Sequence, residues 1–462
     1  LAVLSAAGRQ SAAGDARLAL VSGEPGIGKT ELARAFARAA AADGALVLWG
    51  SAWEDGGAPP YWPWVQVLRS YARQSGAEAL AAAAGPQTAV LAQLLPELGT
   101  AHDPVGAGPT GAGPGGTGPG GAGDAARLTL FEAVCTVLDH AARAAPLAVI
   151  LDDLHAAGRP SALLLRFAAT ARLSRIVLLA TYRTAEAALD PDVSDVIAAL
   201  ESASPPLVLA GLSAGDIRLM LPGADADVLA VVQRRSEGNP LFVSQVARLL
   251  GPGAATVEEV PVPAGIRQAV RRQVARLADA TAATGDNIPG AEEILATAAA
   301  LGPGIDPALV AAALGITAAP VTRLCDAATA VGLLGPGQDV GEVYRFRHAL
   351  IRETLYGELP PQSRAQAHHR IAAVLEDGAG RGHAELAYHF LRAAPVSAED
   401  AARAVHHSRL AGADALTALA YEEAAGHFRH ALDVQRRAAR ATPASRAGLL
   451  LSLAEALTKT GT

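Results

Sequence analysis

The stretch Gly23-Glu24-Pro25-Gly26-Ile27-Gly28-Lys29-Thr30 follows the pattern glycine, four residues, then glycine-lysine-threonine, and it constrains the fold more than any other part of the chain. The pattern has its chemistry only between a buried strand and a helix. Here Leu18-Ala19-Leu20-Val21 is an apolar run of strand type, and Glu31 to Ala42 is a helix-forming run, so the context is the required one. Gly23, Gly26 and Gly28 let the backbone turn tightly and bring N–H groups against phosphate oxygens, with the partial positive charge of the helix N-terminus behind them. Lys29 is placed to reach β- and γ-phosphates, and the Thr30 hydroxyl to ligate Mg²⁺. The loop residues, Glu24, Pro25 and Ile27 among them, read as a binding site for a nucleoside triphosphate with Mg²⁺ as cofactor.

The second motif is Pro146-Leu147-Ala148-Val149-Ile150-Leu151-Asp152-Asp153. An apolar run forms a buried parallel strand, and two carboxylates stand at its C-terminal end, where open α/β sheets place ligands. Asp152 is the candidate metal ligand. Asp153 is the candidate that orients or deprotonates the attacking water. A further apolar strand, Arg175 to Thr181, ends in Thr181-Tyr182-Arg183. Arg183 fits two readings, a sensor of the γ-phosphate and a surface charge.

With 462 residues the chain exceeds one ordinary core, and about three domains are expected. Apolar residues make up 51% but aromatic ones only 4%, which favours many small helix–helix contacts over a few aromatic cores. A net charge of −7 supplies no basic field for nucleic acid and no polybasic membrane patch, so direct nucleic-acid binding and membrane association are not expected. Cys135 and Cys325 match no metal spacing and read as reduced, buried thiols of a cytoplasmic protein. Cys135 shares a helical stripe with Leu128, Phe131, Val134 and Leu138. The chain begins at Leu1, as a fragment would.

Along the chain, strands are expected at Ala45 to Trp49 and Leu207 to Ala210. Helices are expected at Tyr61 to Gln74, Thr88 to Leu98, Ala125 to Ala144 and Ser161 to Leu173. Trp53 to Trp64 reads as an aromatic loop on the domain surface, with nucleotide stacking by Trp53 or Trp62 as the alternative. Residues 104–123, almost all Gly, Pro, Ala and Thr, read as a flexible insert. A small helical unit follows, with Ser213 and Asp216 as a cap and Gly238-Asn239-Pro240-Leu241-Phe242 opening a helix at the proline. Helices come next at Ile266 to Leu277, Ala291 to Ala300, Pro307 to Leu314 and Val321 to Val331. Gly332 to Phe346, broken by Gly335-Pro336-Gly337, reads as a hairpin, and a short helix begins near His348. From Pro361 the pattern is antiparallel helices with small residues at contacts, in which Ala420-Tyr421-Glu422-Glu423-Ala424, Phe428 and Ala431 resemble a tetratricopeptide helix pair.

In this order, the phosphate loop, Leu151-Asp152-Asp153-Leu154-His155, Thr181-Tyr182-Arg183, Gly211-Leu212-Ser213 with Asp216, Gly238 to Phe242 and Phe346-Arg347-His348-Ala349-Leu350-Ile351-Arg352 resemble the signal-transduction ATPases with numerous domains. The likeness is strongest to the large ATP-binding LuxR-type regulators of actinobacteria. The resemblance implies an α/β P-loop NTPase fold with an AAA-like parallel sheet over 1–211, an all-α lid over 212–250, a winged-helix domain over 251–360 and TPR-like helical repeats over 361–462. It implies that Pro240 lines the adenine pocket and that His348 touches the β-phosphate of ADP; from the residues alone, His348 reads as a surface or capping group. It further implies a nucleotide-controlled transcription regulator with slow, Mg-dependent ATP hydrolysis. Other proteins or a small-molecule inducer would act through the repeats, with a nucleotide-dependent oligomer as a compatible state. A motor-like AAA ATPase, a nucleotide-binding scaffold and an ATPase module like that of class III adenylate cyclases are the alternatives. The chain departs from the family in having Ala156-Ala157-Gly158 after the histidine, where Trp-Ala-Asp is common, and in showing neither the upstream adenine-binding segment nor a C-terminal helix-turn-helix.

Overall fold

In the computed structural model of the chain, the described residues are all but 54–56, 99–118, 189, 251–265, 282–289, 338–342, 379–381, 439–442 and 461–462. Apolar runs form the strands β1 (Arg17–Ser22), β2 (Leu46–Ser51), β3 (Leu147–Asp152), β4 (Ile176–Tyr182) and β5 (Leu207–Val208). They join in one parallel sheet in the order β2-β3-β4-β1-β5. β3 and β4 are buried at every residue, the condition of a strand covered on both faces. Alternate residues serve alternate faces. Val21, Ile150 and Leu179 pack with Phe36 of the helix Lys29–Ala42, whereas Leu20, Val149, Leu151 and Leu178 join the larger core opposite. The register sets Val21 beside Thr181 and Ser51 beside Asp152. The C-terminal ends of four strands therefore stand together at one edge, where the phosphate loop leaves β1.

Three helices, Ala214–Met220, Ala226–Ser236 and Pro240–Leu250, enclose a small core of Ile217, Val228, Val232, Phe242 and Val246. The first is closed by the expected reciprocal cap: Asp216 N–H donates to Ser213 Oγ (3.2 Å) and Ser213 N–H to the Asp216 carboxylate (3.1 Å). Helices Ile266–Thr281, Ala291–Leu301, Pro307–Leu314 and Ala318–Ala330 then build a second core with the helix Ala349–Glu358. The antiparallel pair expected before Phe346 is present as β7 (Leu334–Pro336) and β8 (Tyr344–Phe346), though Gly335 and Pro336, expected at the break, pair within β7; β6 (Gly304–Ile305) adds to it in the order β6-β8-β7. Helices Pro361–Asp377, His383–Ala393, Ala398–Thr417, Tyr421–Ala438 and Pro443–Thr460 complete the chain. Among the described residues no helix is long and apolar enough to cross a membrane.

The structure corrects several expectations. Of the insert expected to be flexible over 104–123, residues 104–118 lie outside the described residues, and Pro119 to Gly123 open the long helix Pro119–Ala144. Proline suits the first helical position, and Tyr421 packs over Gly123, donating from its hydroxyl to the Gly123 carbonyl (3.4 Å). The expected helix Thr88 to Leu98 stops at Leu91, and a 3₁₀ turn begins at Pro96. Leu128 is 46% exposed, whereas Phe131, Val134, Cys135 and Leu138 are buried. Both cysteines are free, and burial pushes each thiol up to about 12. The helices Ala2–Ala12, Ala77–Ala84 and Pro191–Ala203 had no counterpart in the sequence reading.

The last helices fold back onto the first unit. Ala424, Phe428 and Leu449 share one core with Leu130 and Val134. Arg127 pairs with Glu422 at 3.2 Å, and Arg159 approaches the same carboxylate at 3.5 Å.

Candidate functional site

A cavity lies over the strand tips. Gly26, Gly28, Lys29, Thr30, Asp152, Asp153 and Arg183 line it from the sheet, and Arg345, Arg347, His348 and Arg352 line it from the facing unit. The loop builds its share of this wall from backbone geometry. Gly23, Gly26 and Gly28 all have positive φ, and Gly28, at +102°, is the cap from which the helix Lys29–Ala42 starts. Lys29 reaches back across the loop, its ammonium donating to the carbonyls of Gly23 (2.8 Å) and Glu24 (2.9 Å). Burial lowers the Lys29 pKa by stripping water from the ammonium, and Asp153 opposes that shift.

The acidic side is organised by Thr181, a fully buried residue. Its hydroxyl donates to Asp152 Oδ1 at 2.5 Å and accepts from the Asp153 N–H at 3.0 Å. Thr30 Oγ1 donates to the same Asp152 oxygen at 3.2 Å, so the strand-tip carboxylate and the first residues of the loop helix converge. Asp153 sits in the left-handed region (φ +58°), a conformation that aspartate tolerates better than bulky residues and that turns the chain sharply after the strand. A hydroxyl and a carboxylate brought together in this way are the hard oxygen donors that Mg²⁺ takes alongside phosphate and water. Among the described residues no set of three His, Cys, Asp or Glu side chains is arranged for a metal.

Arg183 is held at the tip of β4 with its side chain 8% exposed. Its guanidinium donates to Glu186 at 2.7 Å and to Glu353, on the facing helix Ala349–Glu358, at 3.3 Å. Its N–H donates to His155 Nδ1 at 3.4 Å, and His155 Nε2 lies 2.8 Å from Glu186. Burial, with the nearby Arg183 charge, pushes the His155 pKa down to about 4. The ring is therefore neutral at pH 7, with its proton on Nε2.

The small helical unit touches the loop directly. Asn239 Nδ2 donates to the Pro25 carbonyl (3.0 Å) and the Leu241 N–H to the Gly26 carbonyl (3.4 Å). A Cβ on Gly26, where φ is +77°, would sit 3.0 Å from Leu241 Cβ, so the loop can meet this unit only as glycine. Pro240 opens the helix between these two contacts and does not line the cavity described above, whereas His348, at the N-cap position of the helix Ala349–Glu358 without a side-chain cap bond, does. Trp53 and Trp62 line a different cavity, with Gly302, Glu385 and Asp414. Sequence reasoning passed over Asn239, Thr181, Arg345 and Glu353. All four lie inside or beside the stretches singled out above, but the patterns there assign roles only to the neighbouring Pro240, Arg183 and His348. Glu353 follows the last of these stretches directly, after Arg352, and nothing in its local pattern assigns it a partner.

Residues 1–179 match the family model described as the AAA ATPase domain. No curated protein matches the chain. Among solved structures, a signal transduction ATPase with numerous domains carrying a tetratricopeptide repeat sensor, from Pyrococcus horikoshii, aligns at 14% identity with a TM-score of 0.48. The alignment covers 96% of this chain and 61% of that one, so this chain spans about three fifths of that protein's length.

Proposed function

We propose that the chain is an ATP-binding signal-transduction switch in which nucleotide state sets how the sheet unit and the His348 unit fit together. The observation that carries this reading is the shared cavity: phosphate-loop residues, Asp152, Asp153 and Arg183 form one wall, and Arg345 to Arg352 the other. The match of residues 1–179 to the AAA ATPase domain supports nucleotide binding. In this reading the N–H groups of Gly26 to Thr30 and the Lys29 ammonium hold the β- and γ-phosphates, exchanging the Lys29 contacts to the loop carbonyls for phosphate oxygens. Thr30 and Asp152 would hold Mg²⁺, which when bound neutralises charge between the phosphates. Asp153 orients the attacking water, and Arg183 answers the γ-phosphate. His348, at the mouth of a helix in what we read as a winged-helix domain, meets the β-phosphate of ADP.

Asn239 and Leu241 clamp the loop from the lid, and Pro240 between them faces the adenine side. The helices after Pro361 serve as the sensor, and their seat on the helix Pro119–Ala144 provides the route by which a signal loosens the closed form. Turnover in such a device is slow, since hydrolysis resets a conformation. Control of transcription, implied by the resemblance to LuxR-type regulators, belongs to this same reading.

Titration of the purified chain with ADP and ATP, beside Lys29→Ala, tests it. Micromolar or tighter binding lost by at least about tenfold in the variant is expected, as charge-assisted phosphate contacts are removed. Equal affinity in both would remove the basis of the proposal.

A further inference from the structure

We propose that Glu353 is the residue by which this site tells ATP from ADP, acting as an internal stand-in for the γ-phosphate on Arg183. The inference rests on the nucleotide-switch reading above and adds to it a specific competitor. Arg183 is a nearly buried cation, and such a group requires anionic partners where it stands. Glu186, three residues along the same segment, supplies one. Glu353 supplies the other from a unit 170 residues away in sequence, and both carboxylates share the same guanidinium nitrogen, at 2.7 and 3.3 Å.

The γ-phosphate of a bound ATP would enter the same cavity, since Lys29, Thr30 and Asp152 line it together with Arg183. A single arginine nitrogen cannot serve Glu186, Glu353 and a phosphate at full strength. The outcome follows from the strengths of the competitors. Glu186 is tethered by its sequence neighbourhood and also faces His155 at 2.8 Å. Glu353 has the longer contact, and its side chain is 38% exposed, so water offsets part of what it loses on leaving. The phosphate, with its greater charge and three oxygens, displaces Glu353.

The consequence reaches beyond Arg183 because of where Glu353 is carried. It lies on the helix Ala349–Glu358, whose N-cap is His348 and whose Arg352 donates to the Ala299 carbonyl at 3.2 Å inside the second core. Displacing Glu353 therefore pushes on a helix built into the facing unit. ADP has no γ-phosphate, leaves the Arg183–Glu353 pair intact and favours the closed arrangement. An ATP whose γ-phosphate takes this nitrogen breaks the pair, and by linkage the pair then weakens ATP binding by as much as ATP weakens the pair.

The test is calorimetric titration of the full chain with ADP and with ATPγS, in wild type, Glu353→Gln, Arg183→Ala and the double variant. Glutamine keeps the shape of Glu353 and removes its charge. Glu353→Gln is expected to shift the ratio of the two affinities toward ATPγS by about fivefold or more, the lower range of measured couplings between sites. The same substitution should leave the ratio unmoved in the Arg183→Ala background. A ratio unchanged by Glu353→Gln, with both nucleotides still bound, overturns this inference alone. A shift that persists without Arg183 overturns it too, since Glu353 would then act elsewhere. Failure of the wild-type chain to bind either nucleotide overturns the underlying reading and this one with it.

Discussion

At the floor of the site one hydroxyl joins both acidic residues: Thr181 Oγ1 donates to Asp152 and accepts from the backbone of Asp153. Thr181→Val keeps the branched shape that β4 packs and removes both bonds, leaving the part-buried Asp153 N–H without its partner. The expected loss is about 1–3 kcal/mol in urea unfolding. An unmoved transition would mean that the pair is held by the strand alone. His155 supplies a test by pH. Its folded pKa of about 4 lies below the ordinary 6.5, so between those values the unfolded chain takes up a proton that the folded one refuses. Stability should fall as pH drops through this window, by up to about 3 kcal/mol from this residue, and level off below it. His155→Gln should reduce the difference in stability between pH 7 and pH 5. Other histidines that desolvation shifts downward, His368, His389, His407 and His427 among them, leave the remaining slope in both proteins.

Among the elements, the helices after Pro361 show how an alanine-rich chain packs. A Cβ on Gly412 would lie 2.5 Å from the ring of Phe428, whereas one on Gly426, on the helix that carries Phe428, would meet nothing within 4 Å. The two glycines therefore predict opposite signs. Gly412→Ala must force the helices Ala398–Thr417 and Tyr421–Ala438 apart, at about 1–3 kcal/mol. Gly426→Ala gains helix propensity and should stabilise by about 0.5–1 kcal/mol. Thermal melts of both variants decide, and equal shifts would show that the close approach is absent in solution. Elements with strong periodicity stood out in the sequence: β3 and β4 as unbroken apolar runs, and Pro307–Leu314 with its Pro and Gly boundaries. Those decided by distant contacts did not. At the start of the helix Pro119–Ala144, Tyr421 covers Gly123, a contact that no local pattern reports.

In the whole molecule, the chain closes on itself through Arg127, Arg159 and Glu422, backed by a core shared between Phe428 and Leu130. Glu422→Arg would set three cations side by side on a partly buried seam. Amide exchange in Tyr421–Ala438 and Pro119–Ala144 should then quicken about tenfold, or about 1.4 kcal/mol of local opening, while β3 and β4 stay protected. Uniform exchange with wild type would show that the apolar contacts alone hold the seam.

What the sequence by itself determined is the local chemistry. Spacing along a covalent chain decides that three glycines, a lysine and a threonine share one turn before a helix. It also decides that two aspartates end one buried strand and an arginine follows another. What only the tertiary structure decided is who meets whom across the cavity. Asn239, rather than its neighbour Pro240, bonds to the loop. Thr181 binds the two aspartates together, and Arg183 is shared between Glu186 and a glutamate from another unit. The physical reason is range. Periodicity and capping act over a few residues, whereas these partnerships depend on how separately formed cores settle against each other.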